Sequence, residues 1–256
     1  MTLWTRLADM VYPPQCIACP AETDLPDGLC AACWREVQFI TGPVCRYCAH
    51  PVEADGLPCT DCHREAPAWD AGHAAVLYDG IGRRIVLSLK HGDRTDLAPA
   101  AARWMARAAA PSLGAVDLIA PVPLHWSRLI HRRFNQSAEL ARALGALTDL
   151  PVAPDLLTRR HRTRLPRGLD RDARRGVLDR AIVATPRRAA LITGRHILLI
   201  DDVLTSGATL NAATRAFGAA GARRVTILVL ARVARSEVPL GATAPSHVAP
   251  QEPASI

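Results

Sequence analysis

Lysine is nearly missing from this chain of 256 residues. Lys90 is the only one, so 30 of the 31 basic side chains are arginines. That scarcity excludes a GxxxxGK[ST] phosphate loop and the late lysine of a receiver-type phosphorylation site. Long apolar runs are also missing. Nowhere do 18 apolar residues follow one another, so no spanning helix and no membrane insertion are expected. The apolar stretch in "MTLWTRLADMVYPP" is short and interrupted by Asp9, which argues against a signal peptide and for a cytoplasmic address with reduced thiols. Residues 236–256 lack hydrophobic periodicity and are rich in Pro, Ala and Ser, as expected of a disordered tail.

What is present starts with charge. The net charge of +7 is carried by arginine, whose planar fork suits phosphate. Nucleotides, sugar phosphates and nucleic acid are therefore the ligand classes to weigh, against a bland reading as solvated surface. One segment stands apart: residues 159–195 hold twelve arginines against three aspartates. Pro166, Gly168 and Gly176 interrupt any helix there, so a mobile basic loop followed by a short strand is expected.

All eight cysteines lie in the first quarter, as four CxxC pairs: Cys16/Cys19, Cys30/Cys33, Cys45/Cys48 and Cys59/Cys62. Adding 29 to each of the first four positions gives the second four, a tandem repeat of CxxC-x10-CxxC. Each CxxC turn aims two thiolates at one ion, and two turns complete a tetrahedral site, so two structural Zn2+ sites are expected. Disulfides are disfavoured in a reducing compartment, and a redox dithiol needs one pair rather than four in register. Pairing within each repeat is expected, with crossed pairing between repeats as the alternative. His50 and His63 read as bystanders. Arg46, Tyr47 and Trp34 are candidate contacts for a nucleic-acid or protein partner.

From about residue 70 the pattern becomes strands alternating with helices. Strands are expected at 74–80, 116–123, 196–200 and 225–233. Helices are expected at 82–92, at 98–110 ending at Pro111, at 135–148, and from about Gly207 to Ala220. Apolar strands separated by helices make this an α/β chain with a parallel sheet flanked by helices. The expected division is an N-terminal helix and double zinc ribbon over 1–67, an α/β domain over 70–235, and the tail.

The segment "ILLIDDVLTSGATL" (197–210) sets Asp201 and Asp202 at the carboxyl end of a buried strand, where ligands sit in such sheets. Thr205-Ser206-Gly207-Ala208-Thr209 then opens a helix, so hydroxyls and backbone N–H groups converge at a positive dipole end fit for phosphate. Carboxylates accept from vicinal hydroxyls, and a ribose 5-phosphate carries a diol and a phosphate on one molecule. A DxDxT phosphatase motif needs its acids two apart, whereas these are adjacent.

These residues resemble the phosphoribosyl pyrophosphate (PRPP) motif of type I phosphoribosyltransferases. With the CxxC array and "PVPLHWSRLIHRRFNQSAELARAL", the chain to about residue 235 resembles the ComF/GntX family, in which a double zinc ribbon precedes a phosphoribosyltransferase-like domain. The resemblance implies that Asp201 and Asp202 take the ribose diol in a catalytic role and that Thr205, Ser206, Gly207, Ala208 and Thr209 take the 5-phosphate. It implies further that the segment with Pro121, Pro123, Arg128, Arg132, Asn135 and Gln136 approaches the pyrophosphate, with Lys90 and Arg94 near the same pocket. Mg2+ would accompany PRPP, held mainly by the ligand's own oxygens. The family's RGFNQ has Arg133 here in place of glycine, and Pro166 and Val177 replace a common Gln and Asn. Two readings follow: a phosphoribosyltransferase acting on an unidentified acceptor, or a non-catalytic nucleotide- or DNA-binding protein of competence-type DNA uptake. Single-stranded DNA and competence proteins are partners under the second.

Overall fold

The cysteine repeat becomes two copies of one local design. In the first copy, Gln15 bridges Glu22 and the Cys16 N–H donates to the Ala21 carbonyl at 2.8 Å. Helix α1 (Ala31–Glu36) starts directly after Cys30 and carries Cys33. In the second, Val44 bridges Pro51 and the Cys45 N–H donates to the His50 carbonyl at 2.7 Å. Helix α2 (Thr60–Arg64) starts directly after Cys59 and carries Cys62. These are features of a computed structural model that describes residues 13–23, 26–91, 94–124, 134–160 and 181–234. The expected basic loop lies largely, and the C-terminal tail wholly, outside the described residues.

The strands among the described residues are β1 (Ala71–Leu77), β2 (Leu118–Pro121), β3 (Leu157–Arg159), β4 (Ile182–Ala184), β5 (His196–Leu204) and β6 (Arg224–Arg232). Four of them form a parallel sheet in the order β1-β6-β5-β2, and β3 pairs antiparallel with β4. The longer helices are α3 (Gly80–His91), α4 (Ala98–Leu113), α5 (Gln136–Thr148) and, after the short α6 (Ala189–Ile192), α7 (Ala208–Ala219). The chain is thus an α/β fold with a parallel sheet flanked by helices, as the strand and helix periodicities require.

Each face of the sheet has its own core. On one, Ile85 and Leu89 of α3, Met105 of α4 and Leu140 and Leu144 of α5 cover Leu198, Ile200 and Leu228. On the other, Leu210 and Phe217 of α7 cover Ile197, Leu199, Ile227 and Val229. The two cysteine repeats divide between these cores: Cys16, Ile17 and Cys33 join the first, and Cys45, Cys48, Cys59 and Cys62 join the second with Trp69. The double ribbon therefore straddles the exposed edge of β1. Its backbone caps that edge, with the Ile40 N–H on the Ala75 carbonyl at 3.0 Å and the Gly72 N–H on the Arg46 carbonyl at 2.9 Å. A free parallel edge is a liability for aggregation, and here it is covered. Gly72 is required for this approach, because a Cβ there would lie 2.0 Å from the Tyr47 carbonyl oxygen.

Several boundaries differ from the sequence expectations, β2 among them, which spans only Leu118–Pro121; three have a plain physical cause. Strand β1 begins at Ala71 and ends at Leu77, where a turn through Gly80 (φ 31°) launches α3. Helix α4 continues past Pro111 to Leu113. A proline in the last turn removes a single hydrogen bond near an end that frays anyway, so it bends the terminus rather than ending the helix. Strand β5 runs four residues beyond Ile200 because β6 offers it a partner throughout, including Asp201 opposite Val229 and Leu204 opposite Arg232. The basic segment is rooted in the β3–β4 ribbon, with Leu157 opposite Ala184 and Arg159 opposite Ile182. No helix among the described residues is long and apolar enough to cross a membrane.

Candidate functional site

The two acids lie within β5, so regular strand hydrogen bonding fixes their backbone. Three elements bring partners to them. Helix α3 brings Lys90, whose Nζ lies 3.1 Å from Asp202 Oδ1. Helix α5 brings Ser137, whose hydroxyl donates to Asp201 Oδ1 at 2.9 Å, and the Asp202 N–H donates to the same oxygen at 2.9 Å. The connection from β2 sets the start of α5: the Val122 N–H donates to the Ile200 carbonyl at 2.9 Å. Asn135 then caps α5, accepting from the Ser137 N–H at 3.1 Å while its Nδ2 donates to the Val122 carbonyl at 3.0 Å.

The electrostatics of the pair are asymmetric. Burial, then the charge of Asp202, pushes the Asp201 carboxyl up to about 7, against the opposing pull of the Asp202 N–H, Ser137 and Lys90. Asp202 carries the partner of that repulsion and has Lys90 beside it. The Lys90 ammonium beside Asp202 offsets part of the negative charge that an anion approaching the adjacent loop would meet.

That loop leaves β5 at Leu204. Thr205 and Ser206 are exposed, and Gly207 takes a left-handed conformation (φ 74°) as the N-cap of α7. Glycine is demanded twice here, by the positive φ and because a Cβ would lie 2.8 Å from Trp69 Cη2. The first N–H groups of a helix have no intrahelical partner, so a 12-residue helix entered through Thr205, Ser206, Ala208 and Thr209 offers an anion both donors and a favourable dipole.

The structure brings together Asp201, Asp202 and Lys90, with Asn135 and Gln136 at the adjoining helix start and Thr205 to Thr209 following in the chain. Asn135 has both ends of its amide on backbone groups, so what it holds is the start of α5. Pro123 and Gln136 are buried at the same corner. Arg94 is turned to Asp96, with its Nε 2.9 Å from one carboxylate oxygen. Arg128 and Arg132, and the departures at Arg133, Pro166 and Val177, lie outside the described residues. Sequence reasoning missed Ser137 and Trp69. No local sequence signal points to Ser137, which reaches Asp201 only once α5 packs beside β5.

The cysteines group as two tetrads, Cys16/Cys19/Cys30/Cys33 and Cys45/Cys48/Cys59/Cys62, with the sulfurs of each within 4.8 Å of one another. Pairing is therefore within each repeat, and the crossed alternative is overturned. The nearest hydrogen-bonded sulfurs are 3.7 Å apart in the first tetrad (Cys19–Cys30) and 3.6 Å in the second (Cys48–Cys59). Zn–S bonds of about 2.3 Å in a tetrahedron place sulfurs about 3.8 Å apart, so the donor set fits structural zinc and is far too open for a disulfide. In the second tetrad Cys45 is drawn well below the usual thiol range, first by its hydrogen bond with Cys48, while Cys62 is pushed up, first by its hydrogen bond with Cys45. Four buried thiols cannot all ionise without a cation to share.

Comparison with known proteins agrees with both parts. Residues 7–63 match the double zinc ribbon domain, and residues 138–246 match the phosphoribosyl transferase domain. The chain is 30% identical to the DNA utilization protein YhgH of Salmonella typhimurium, over 80% of this chain and 90% of that one. It is 25% identical to competence protein F of Haemophilus influenzae, over 85% of this chain and 96% of that one. It is also 25% identical to competence protein ComFC of Bacillus subtilis, over 73% and 76% respectively.

Proposed function

The chain belongs to the ComF/GntX family, a double zinc ribbon joined to a phosphoribosyltransferase domain, and from that premise we propose that it binds PRPP or another ribose 5-phosphate at the end of β5. The observation that carries the reading is one continuous segment: Asp201 and Asp202 lie in the carboxyl-terminal half of the buried strand β5, and three residues after β5 ends a left-handed Gly207 caps helix α7. A ribose diol donates to the two carboxylates while its 5-phosphate accepts from the N–H groups and hydroxyls of residues 205–209. The acids tolerate the neighbouring phosphate because Asp201 titrates near neutrality and Lys90 balances Asp202. Where PRPP is the ligand, Mg2+ would accompany it and supply charge shielding of the pyrophosphate, bound mainly through the ligand's own oxygens rather than through side chains of this chain.

Transfer follows from the same pose. An acceptor lone pair forms a bond to the anomeric carbon as the bond to pyrophosphate breaks, and pyrophosphate leaves with the electron pair. The protein's contribution is to position the ring and to stabilise its developing positive charge, for which the carboxylates are suited. The division into a ribbon over 1–67, a transferase-like domain over 70–235 and a tail over 236–256 is part of this reading, as is a cytoplasmic location. A second reading, non-catalytic nucleotide or single-stranded DNA binding with competence proteins as partners, is favoured by the names of the relatives and by the twelve arginines of 159–195.

Isothermal titration tests the proposal. Mg·PRPP is expected to give binding heat with the parent chain and none with Asp201→Asn/Asp202→Asn. Identical traces in the two proteins refute it. Pyrophosphate release across nucleobases and amines separates transfer from binding alone.

A further inference from the structure

Asp201 and Asp202 are consecutive in β5, and consecutive strand residues normally point to opposite faces of a sheet. Here both are turned toward helices of one face. Asp201 meets Ser137 of α5 at 2.9 Å, Asp202 meets Lys90 of α3 at 3.1 Å, and α3 and α5 cover the same side of the sheet. The turning has a local cause: Asp201 Oδ1 accepts from the Asp202 N–H at 2.9 Å as well as from the Ser137 hydroxyl. A carboxylate oxygen offers two lone pairs, so Oδ1 is filled, and the carboxylate cannot rotate without losing a bond. Asp202 has its own Oδ1 on Lys90. Among the described residues the second oxygen of each acid has no hydrogen-bond partner, and neither is sealed from solvent.

Ser137 is itself held from several sides. It is 5% exposed, in the first turn of α5, and its N–H donates to Asn135 Oδ1 at 3.1 Å. Asn135 Nδ2 donates to the Val122 carbonyl at 3.0 Å, and the Val122 N–H donates to the carbonyl of Ile200, the residue before Asp201, at 2.9 Å. A circuit from Ile200 through Val122, Asn135 and Ser137 back to Asp201 is thus closed by hydrogen bonds. From this we infer that Ser137 is a positioning residue that makes the acidic pair selective for a ribose 5-phosphate over its 2-deoxy counterpart. Selectivity of this kind rests on the ribose 5-phosphate reading above and adds to it which sugars the site refuses.

Two open oxygens at fixed places match the two hydroxyls of a ribose, one acceptor for each. A 2-deoxy sugar leaves one of those oxygens without its donor, and a site built to hydrogen-bond a hydroxyl rejects the analogue that lacks it. Ser137 is what withholds Oδ1 from the sugar. Without its hydroxyl, Oδ1 regains a lone pair and the Asp201 carboxylate is held only by its neighbour's N–H, so it can follow a single hydroxyl as readily as one of a pair. Lys90 is a looser anchor for Asp202, because its ammonium sits on a flexible four-carbon stem.

Calorimetric titration of the zinc-loaded full chain with ribose 5-phosphate and with 2-deoxyribose 5-phosphate tests this. The parent should prefer the ribose compound by at least about 20-fold. Ser137→Ala should lower that preference by about fivefold, mostly through weaker ribose 5-phosphate binding, and Ser137→Thr, which keeps the hydroxyl, should retain it. A parent that binds both sugars alike, a preference in Ser137→Ala within about twofold of the parent's, or equal losses toward both sugars overturns the inference. So does loss of the preference in both variants alike, which assigns the effect to packing. A second readout needs no ligand. The 13C resonance of the Asp201 carboxyl should titrate at higher pH in Ser137→Ala than in the parent, because a donor to the ionised form is gone, and at the parental pH in Ser137→Thr. An unmoved midpoint overturns the Ser137 contact itself. A moved midpoint with unchanged sugar preference overturns the selectivity and leaves the proposed function standing, whereas a moved midpoint in a chain that binds neither sugar refutes the proposed function and the selectivity with it.

Discussion

Replacing Asp201 with asparagine isolates the cost of the acidic pair. Asparagine keeps the Oδ1 acceptor that takes bonds from Ser137 and from the Asp202 N–H, and removes only the ionisation. In the folded chain Asp201 titrates at about 7 instead of near its ordinary value of 3.8. The folded state therefore holds a proton that the unfolded chain has lost. Its contribution to stability is largest at low pH, begins to fall as pH rises past about 4, and is gone once pH has passed through about 7. Between pH 5 and pH 8 the full shift corresponds to a loss of about 2.6 kcal/mol, which solvent screening of a half-buried carboxyl reduces to about 1–2 kcal/mol. His73 and His196 work in the opposite direction. Burial holds both below their ordinary value, so their contribution grows as pH rises through about 6.5. They are present in parent and variant alike, as are the metal sites, so the difference between the two proteins reports Asp201. Urea unfolding of the zinc-loaded chain at pH 5, 6, 7 and 8 is the assay. Relative to Asp201→Asn, the parent midpoint should fall by about 0.5–1 M across that range at unchanged slope. Parallel midpoints at every pH refute the account of the acidic pair, whatever the ligand turns out to be.

Two other perturbations follow from the packing. Gly207→Ala meets both a positive φ and the Trp69 ring, so a loss of about 1–3 kcal/mol in urea unfolding is expected, and a loss under about 0.5 kcal/mol contradicts the placement of that turn. Native mass spectrometry should find two zinc ions per chain. Because one tetrad sits in each core, chelation should degrade the near-ultraviolet signals of both Trp69 and Trp104, and a metal-free chain that keeps them contradicts that division.

The parts legible in the sequence are those whose chemistry is local. An offset of 29 between two sets of four cysteines predicts two sites, because each ligand group lies within one repeat and its spacing alone brings the sulfurs together. The acids and the turn that follows them are likewise one contiguous segment. What sequence reading missed depends on contacts far apart in the chain. Ser137 and Asp201 are 64 residues apart, and nothing local to either assigns one to the other. The extension of β5 through its acids was hidden for a related reason: carboxylates look like a loop signal, yet β6 supplies a strand of nine residues against which the backbone stays paired. The packing of one cysteine repeat on each face was also out of reach, since it follows from where the edge of β1 lies once the sheet has formed.

That division bears on why the ribbon is present at all. A four-thiolate site offers no open position for a substrate, so a ribbon that merely hung from the sheet would act only through its surface. Here the second repeat shares a core with α7 and Trp69, and Trp69 is the residue that closes on Gly207 at the entrance of the phosphate-type loop. The Trp69 indole N–H donates to the Tyr47 carbonyl at 2.6 Å, between Cys45 and Cys48. A displacement of the second knuckle must therefore move the ring against which the loop is built. On the proposed reading, a metal in the second tetrad is part of what shapes the loop after β5, at a distance and without touching the ligand.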